Sequence, residues 1–159
     1  MIEMELLGVQ TVDPGKTPIV LLRENNERGL LLPIYIGRNE ALSIDLVLRE
    51  AETPRPLTHD LFKTTLNEME ATLTRVVVTE LKDKTFFAEL HLSTQNGEKK
   101  ISSRPSDAIA LATRMQSPIF VEESVLNKAG EKLEDETQEN VVAEFRDFLE
   151  EISPDDFMP

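Results

Sequence analysis

The chain has 159 residues, 40% of them hydrophobic and 30% charged, which is typical of a soluble globular protein with a substantial core. It has no cysteine, which excludes disulfides and thiolate chemistry. The formal net charge of −13 is uneven, because residues 121–159 contribute −10 and residues 1–120 only −3. Broad duplex binding needs a basic face, which this composition does not supply. With no signal sequence and no apolar run of membrane length, we expect a cytoplasmic protein without a membrane partner.

The first half of the chain predicts three strands followed by a helix. Apolar and alternating runs bounded by turn residues predict strands at residues 2–12, 18–23 and 30–36. A helix is expected from residue 37 to about residue 50. A second helix is expected to end near residue 71, with Thr58 as its N-cap.

The second half repeats this plan. Strands are expected at residues 73–81, 86–93 and 99–103, with a hairpin turn at Asn96-Gly97. Pro105 then opens a helix at a first-turn position. Arg38 and Arg104, 66 positions apart, stand at the two strand-to-helix turns. We therefore predict an α+β fold in which a mixed or antiparallel sheet carries two β-β-β-α repeats packed together.

The last part of the chain is expected to be an extension of this domain. A short strand at 118–121 and a short helix at 122–129 complete a domain over residues 1–130. Residues 131–139 are acidic and predict a linker. An amphipathic C-terminal helix is indicated by the apolar residues Val141, Val142, Phe145, Phe148, Leu149 and Ile152. This helix would pack on the domain over residues 1–130 or on a second subunit. A loose tail would follow it and complete the segment 131–159.

The two strand-to-helix turns each combine an arginine with an acid directly before an alanine. Arg38 and Arg104 suit phosphate binding, because a guanidinium can contact phosphate oxygens in bidentate fashion. Glu40 and Asp107 could hold a hard cation such as Mg²⁺. The alternative is structural: Ser106 or Asp107 would cap a helix and Arg104 would pair with a neighbouring acid.

A third candidate lies just after the proline-rich turn at residues 53–56. His59 could act as a general base near neutral pH, and Asp60 could bind a cation. The alternative is that both residues lie exposed in the first turn of a helix. The second histidine, His91, is expected on the polar side of a strand.

Several sequence blocks together resemble the bifunctional nuclease family of bacteria and plants. The blocks are residues 32–37 with Glu40-Ala41, Arg55-Pro56-Leu57-Thr58-His59-Asp60, Ser103-Arg104-Pro105-Ser106-Asp107-Ala108 and residues 118–121. The resemblance spans about residues 1–130, and the extension is similar to that of actinobacterial-type members. It implies cleavage of both DNA and RNA, an α+β fold and a homo-oligomer, with a dimer expected.

Two functional hypotheses follow. In the first, a hydrolase acts on phosphodiesters through the catalytic residues Glu40, His59, Asp60 and Asp107. Glu40, Asp60 and Asp107 hold Mg²⁺ or Mn²⁺, which activates water, while Arg38 and Arg104 hold phosphate. In the second, the chain is a non-catalytic binding or regulatory module, and its acidic tail contacts a protein partner. Glu40 and Asp107 in one cleft would favour the first hypothesis, whereas buried Arg38–Asp107 or Arg104–Glu40 pairs would favour the second.

Overall fold

The computed structural model describes residues 1–10 and 15–132. The strands are β1 Ile2–Gln10, β2 Ile19–Glu24, β3 Leu31–Tyr35, β4 Thr72–Lys82, β5 Thr85–Thr94, β6 Gly97–Ser103 and β7 Ile119–Val121. The helices are α1 Arg38–Leu48, α2 Thr58–Glu68, α3 Pro105–Met115 and α4 Glu123–Ala129. The strands form one mixed sheet in the order β3-β2-β1-β7-β4-β5-β6.

The sheet contains the two predicted repeats. Strands β1, β2 and β3 form one antiparallel meander that leads into α1, and β4, β5 and β6 form a second one that leads into α3. Strand β7 joins them at the centre of the sheet, antiparallel to β1 and parallel to β4. The predicted α+β class, mixed sheet and paired β-β-β-α plan are confirmed.

The acidic residues of the two repeats occupy equivalent positions, whereas their arginines do not. Gly37 is the N-cap of α1, whereas Arg104 itself is the N-cap of α3. Glu40 and Asp107 therefore both occupy the third helical position and are 67 residues apart. Arg38 and Arg104, which are 66 residues apart, therefore do not occupy equivalent positions. Arg38 is the first residue of α1, whereas Arg104 precedes the first residue of α3.

Helix α3 is the centre of the helical layer. It packs against α1, α2, β4 and β5. All five residues from Ala108 to Ala112 are buried, three of them alanines that let neighbouring elements approach closely. Because α1 and α2 both pack on this one helix, the starts of the three helices can share one site.

Helix α2 begins differently from the prediction. Its N-cap is Leu57, so the prediction of Thr58 was wrong. Asp60, in the third helical position, reaches back and accepts a hydrogen bond of 2.8 Å from the Leu57 backbone N–H. A carboxylate at this position can cap the exposed amide without a polar side chain at the N-cap itself.

The expected C-terminal helix over 141–152 and most of the acidic linker lie outside the described residues. No helix in the described part of the chain has the length and apolar character needed to cross a membrane.

Candidate functional site

Five side chains from the starts of three helices meet in one hydrogen-bonded group, which we call the Arg104 cluster. Glu40 and Ser43 come from α1, His59 from the first turn of α2, and Arg104 and Asp107 from the start of α3. Residues that lie 64 or more positions apart along the chain, such as Ser43 and Asp107, are thereby connected.

Arg104 bridges the two equivalent acids. Its Nε donates to Asp107 Oδ2 over 2.8 Å, and its Nη2 donates to Asp107 Oδ1 over 3.1 Å. Nη2 also lies 3.0 Å from Glu40 Oε1. These contacts use three of the five N–H donors of the guanidinium, which leaves two for a ligand. The side chain is 63% exposed, so a ligand can reach them.

The carboxylate of Glu40 folds back over Gly37. A Cβ atom added at Gly37 would meet Glu40 Oε2 in severe overlap. The Gly37 backbone has φ −74°, which any residue can adopt, so the glycine is explained by this close approach and not by its dihedral angle. Gly37 thus gives Glu40 the room to reach Arg104.

Asp107 is held in its ionised form. Partial burial would raise its pKa, but the hydrogen bonds from Arg104 and His59 together outweigh that effect and lower the pKa below the ordinary aspartate value. At neutral pH Asp107 is consequently a carboxylate that can only accept hydrogen bonds.

This charge state fixes the tautomer of His59. His59 Nε2 lies 2.9 Å from Asp107 Oδ1 and must be the protonated nitrogen, because the carboxylate has no proton to donate. His59 Nδ1 lies 2.7 Å from Ser43 Oγ. In neutral His59 the serine hydroxyl donates to Nδ1, and in cationic His59 Nδ1–H donates to the serine oxygen. The imidazole keeps both partners in either charge state.

Asp60 has a different partner. Its Oδ1 accepts a hydrogen bond of 2.7 Å from Nε of Arg114, whose side chain is only 3% exposed. Partial burial would raise the pKa of Asp60, but Arg114 and the Leu57 amide lower it overall. Asp60 is therefore a structural link between α2 and α3.

The structure thus brings together four of the predicted residues, Glu40, His59, Arg104 and Asp107. Arg38 is exposed at the first residue of α1. Among residues 1–10 and 15–132 there is no group of three or more His, Asp or Glu side chains placed to hold one metal ion. The set Glu40, Asp60 and Asp107 does not fit a shared cation in this arrangement, since each of the three pairs with an arginine.

Sequence reasoning missed Ser43 and Arg114. Ser43 lies one helical turn after Glu40, and Arg114 lies two turns after Asp107. Both are buried polar residues. A polar residue on an otherwise apolar helix face is the sequence feature that could have identified them.

The contacts of Glu40, Arg104 and Asp107 bear on the choice between a nuclease and a binding module. Glu40 and Asp107 contact the same guanidinium and so share one site. The Arg104–Glu40 ion pair exists, but its arginine is mostly exposed and not buried. Helix capping does not explain the turn before α3, because the N-cap of this helix forms no side-chain capping hydrogen bond. Asp107 contacts His59 and Arg104 instead.

His91, the other histidine, lies outside the cluster on β5. Its Nε2 is 3.2 Å from Glu89, and its Nδ1 accepts from Arg75 on the adjacent strand β4 over 3.2 Å. It is a cross-strand residue and supplies a natural comparison for His59.

Comparison with known proteins gives one family. The family model described as Bifunctional nuclease domain matches residues 20–134. An uncharacterized protein of Mycobacterium tuberculosis is 40% identical over 164 residues, covering 98% of this chain and 97% of the relative. Bifunctional nuclease 1 of Arabidopsis thaliana is 29% identical over 117 residues, covering 72% of this chain and 36% of that protein. Bifunctional nuclease 1 of Oryza sativa subsp. japonica is 27% identical over 117 residues, covering 72% of this chain and 35% of that protein.

Proposed function

This chain belongs to the bifunctional nuclease domain family, and from that premise we propose that it hydrolyses phosphodiester bonds of DNA and RNA at the Arg104 cluster. The family match over most of the chain supports a nuclease-related function. The plant relatives named bifunctional nucleases support it at lower identity and over about a third of their own length.

The observation that supports this site most directly is the pairing of an exposed guanidinium with a carboxylate held beside a histidine. Arg104 offers the two N–H donors of Nη1 to phosphate oxygens. Asp107 lies beside it, ionised and half-buried. A phosphodiester bound to Nη1 of Arg104 would lie across the guanidinium from this carboxylate, which would act on it through water.

In the proposed reaction, water attacks phosphorus and one P–O ester bond breaks. Asp107 accepts a proton from the attacking water, and the leaving oxygen takes a proton from solvent, so charge and protons balance. Arg104 donates hydrogen bonds to the phosphate oxygens on which negative charge builds up. Arg104 and Asp107 are the two residues assigned to direct contact with the substrate.

His59, Ser43 and Glu40 are assigned positioning roles. His59 orients the Asp107 carboxylate through Nε2–H, and Ser43 orients His59 through Nδ1. Glu40 keeps Arg104 in place through its contact with Nη2. Preorganised groups of this kind avoid rearrangement during the reaction. Dependence on Mg²⁺ or Mn²⁺, a phosphate contact from Arg38 and a homodimer stay predictions.

The test is cleavage of end-labelled single-stranded RNA and DNA by the full chain, with Mg²⁺, with Mn²⁺ and with EDTA. We expect Asp107→Asn and Arg104→Gln to lower the rate at least about a hundredfold, as expected for loss of a group that acts in the transition state. His59→Gln should lower the rate less. His91→Gln removes the other histidine–carboxylate contact and should leave the rate unchanged.

Equal cleavage by wild type and by folded Asp107→Asn would contradict the proposal and indicate a contaminating nuclease. That result would favour the second candidate, a binding or regulatory module. The specific observation behind this alternative is that Arg104 is already paired with two acids, as a purely structural ion-pair network would be.

A further inference from the structure

A groove of about 460 Å³ opens beside the Arg104 cluster. One side is formed by the end of β3 and the following residues up to Gly37, and the other by the turn between β4 and β5. Arg104, Pro105 and Ser106 also line the groove. Arg104 therefore belongs both to the cluster and to the groove. The volume lies in the range of sites that hold one small ligand.

The charge of the groove is opposite to that of the chain. The charged side chains among its described lining residues are Lys84 and Arg104, and none of the lining residues is acidic. The whole chain has a net charge of −13. Glu40 and Asp107 both pair with Arg104, and their two negative charges exceed its single positive charge, so Lys84 supplies the charge attraction for an anion while Arg104 supplies hydrogen-bond donors.

Lys84 occupies a backbone conformation that lysine rarely adopts. Asp83 and Lys84 form the two-residue turn between Lys82 and Thr85, with φ of 49° and 62°. Positive φ at both positions is typical of a type I′ turn, which favours Asn and Gly. A lysine in the second position lowers turn stability, and it places a cation in the lining of the groove.

Aromatic surface lies within reach of these cations. Tyr35 lines the groove and is 68% exposed, although it is a large, partly apolar residue at the end of a strand. Phe86 also lines the groove and packs on the core. Aromatic rings next to cations are the usual surface for unpaired nucleotides, because bases stack on the rings while phosphates bind the cations.

We infer that the groove binds one unpaired nucleotide of a single-stranded nucleic acid, with its base against Tyr35 and its phosphates between Lys84 and Arg104. This inference rests on the proposed nuclease function, since it directs the adjoining phosphodiester to Arg104. A duplex hides the faces of its bases, so the groove favours single strands. Such a groove lets a chain without a basic face hold a polyanion through Lys84 and the free N–H donors of Arg104.

Binding is tested separately from cleavage. The probe is a short, fluorescein-labelled DNA strand with phosphorothioate linkages that resist hydrolysis, used alone and annealed to its complement. We expect the full chain to bind the single strand more tightly than the duplex. Tyr35→Leu should weaken single-strand binding about tenfold, while Tyr35→Phe, which keeps the ring, should bind as wild type does. Phe87→Leu, an exposed aromatic outside the groove, is the matched control.

Lys84→Asn provides the second test. Asparagine tolerates positive φ, so the variant removes the cation without harming the turn. We expect weaker binding and a slope of log affinity against log salt that is shallower by about 0.7, the value for one phosphate contact on a single strand. Lys99→Asn, on exposed β6, should leave the slope unchanged.

The outcomes separate the groove from the catalytic proposal. Equal binding of single strand and duplex, no binding at all, or unchanged binding by Tyr35→Leu and Lys84→Asn would overturn the groove inference, even if the chain cleaves nucleic acid. Ring-dependent binding by a chain that cleaves nothing would support the groove and reject hydrolysis.

Discussion

At the scale of single residues, His59 depends on neighbours from two other helices. Asp107 fixes the proton on Nε2, and Ser43 supplies a hydroxyl that either donates to Nδ1 or accepts from it. Ser43 itself is buried, so it is unsuited to contact a polymeric substrate. Its effect on chemistry should therefore pass through the orientation of His59.

We expect Ser43→Ala to lower cleavage about fivefold to tenfold and to cost about 1 kcal/mol of stability, the scale of one lost hydrogen bond. Cleavage rates and urea unfolding measure the two effects, and nitrogen NMR of the imidazole reports the tautomer. Ser43→Thr keeps the hydroxyl and should restore the rate.

Ser117→Ala is the matched control, since it removes a 2.7 Å hydrogen bond to Leu73 outside the cluster. It should lose similar stability without losing activity. If both serine variants lost activity in proportion to stability, Ser43 would have only a structural role.

At the scale of secondary-structure elements, α2 is held against α3 by one partly buried ion pair. Arg114 donates to Asp60 and also, over 3.1 Å, to the backbone carbonyl of Ala110. Lys63 donates to the Arg114 carbonyl over 3.1 Å, near the end of α3. Only Leu66 is buried within α2, so these polar contacts contribute much of its attachment.

We expect Asp60→Asn to cost about 1–2 kcal/mol at neutral pH, below the range for fully buried pairs because the Asp60 side chain is 36% exposed. The folded-state pKa of Asp60 is lowered, so its contribution is present above the ordinary aspartate range and is lost as pH falls below about 3.9. Urea unfolding of wild type and variant should therefore converge in acid.

Glu68→Gln, an exposed acid on the same helix, should change stability by less than about 0.5 kcal/mol. A difference between wild type and Asp60→Asn that stayed constant down to acid pH would contradict the assigned ion pair.

At the scale of the whole molecule, a three-residue strand joins the two repeats. In β7, Val121 pairs with Ile2 of β1 and with Val78 of β4, and its side chain is completely buried. The strand comes from near the end of the described chain, so the sheet is complete only when the second repeat and α3 have formed. We expect the two repeats to unfold together.

Val121→Ala should cost about 2 kcal/mol, in line with loss of buried methyl groups. Far-ultraviolet circular dichroism and Tyr35 fluorescence should give one coincident urea transition for wild type and variant. Ile101→Ala, at an exposed position on the edge strand β6, should cost less than about 1 kcal/mol. Two separate transitions in the wild type would show that the repeats fold independently.

The sequence by itself determined the elements and the family. Alternation, turn residues and Pro105 located both β-β-β-α units, because these signals act over a few neighbouring residues. The order of four short blocks identified the bifunctional nuclease family, which the family match confirms. The same local signals named Glu40, His59, Arg104 and Asp107 as residues capable of chemistry.

Only the tertiary structure decided which of these residues meet. Asp60 directly follows His59 in the chain, yet it bonds to Arg114, whereas His59 faces Asp107. Adjacent residues on a helix point about 100° apart, so their partners depend on which helix packs on each side. The role of Ser43 and the groove between β3 and the β4–β5 turn likewise arise from packing between distant segments, which no local pattern encodes.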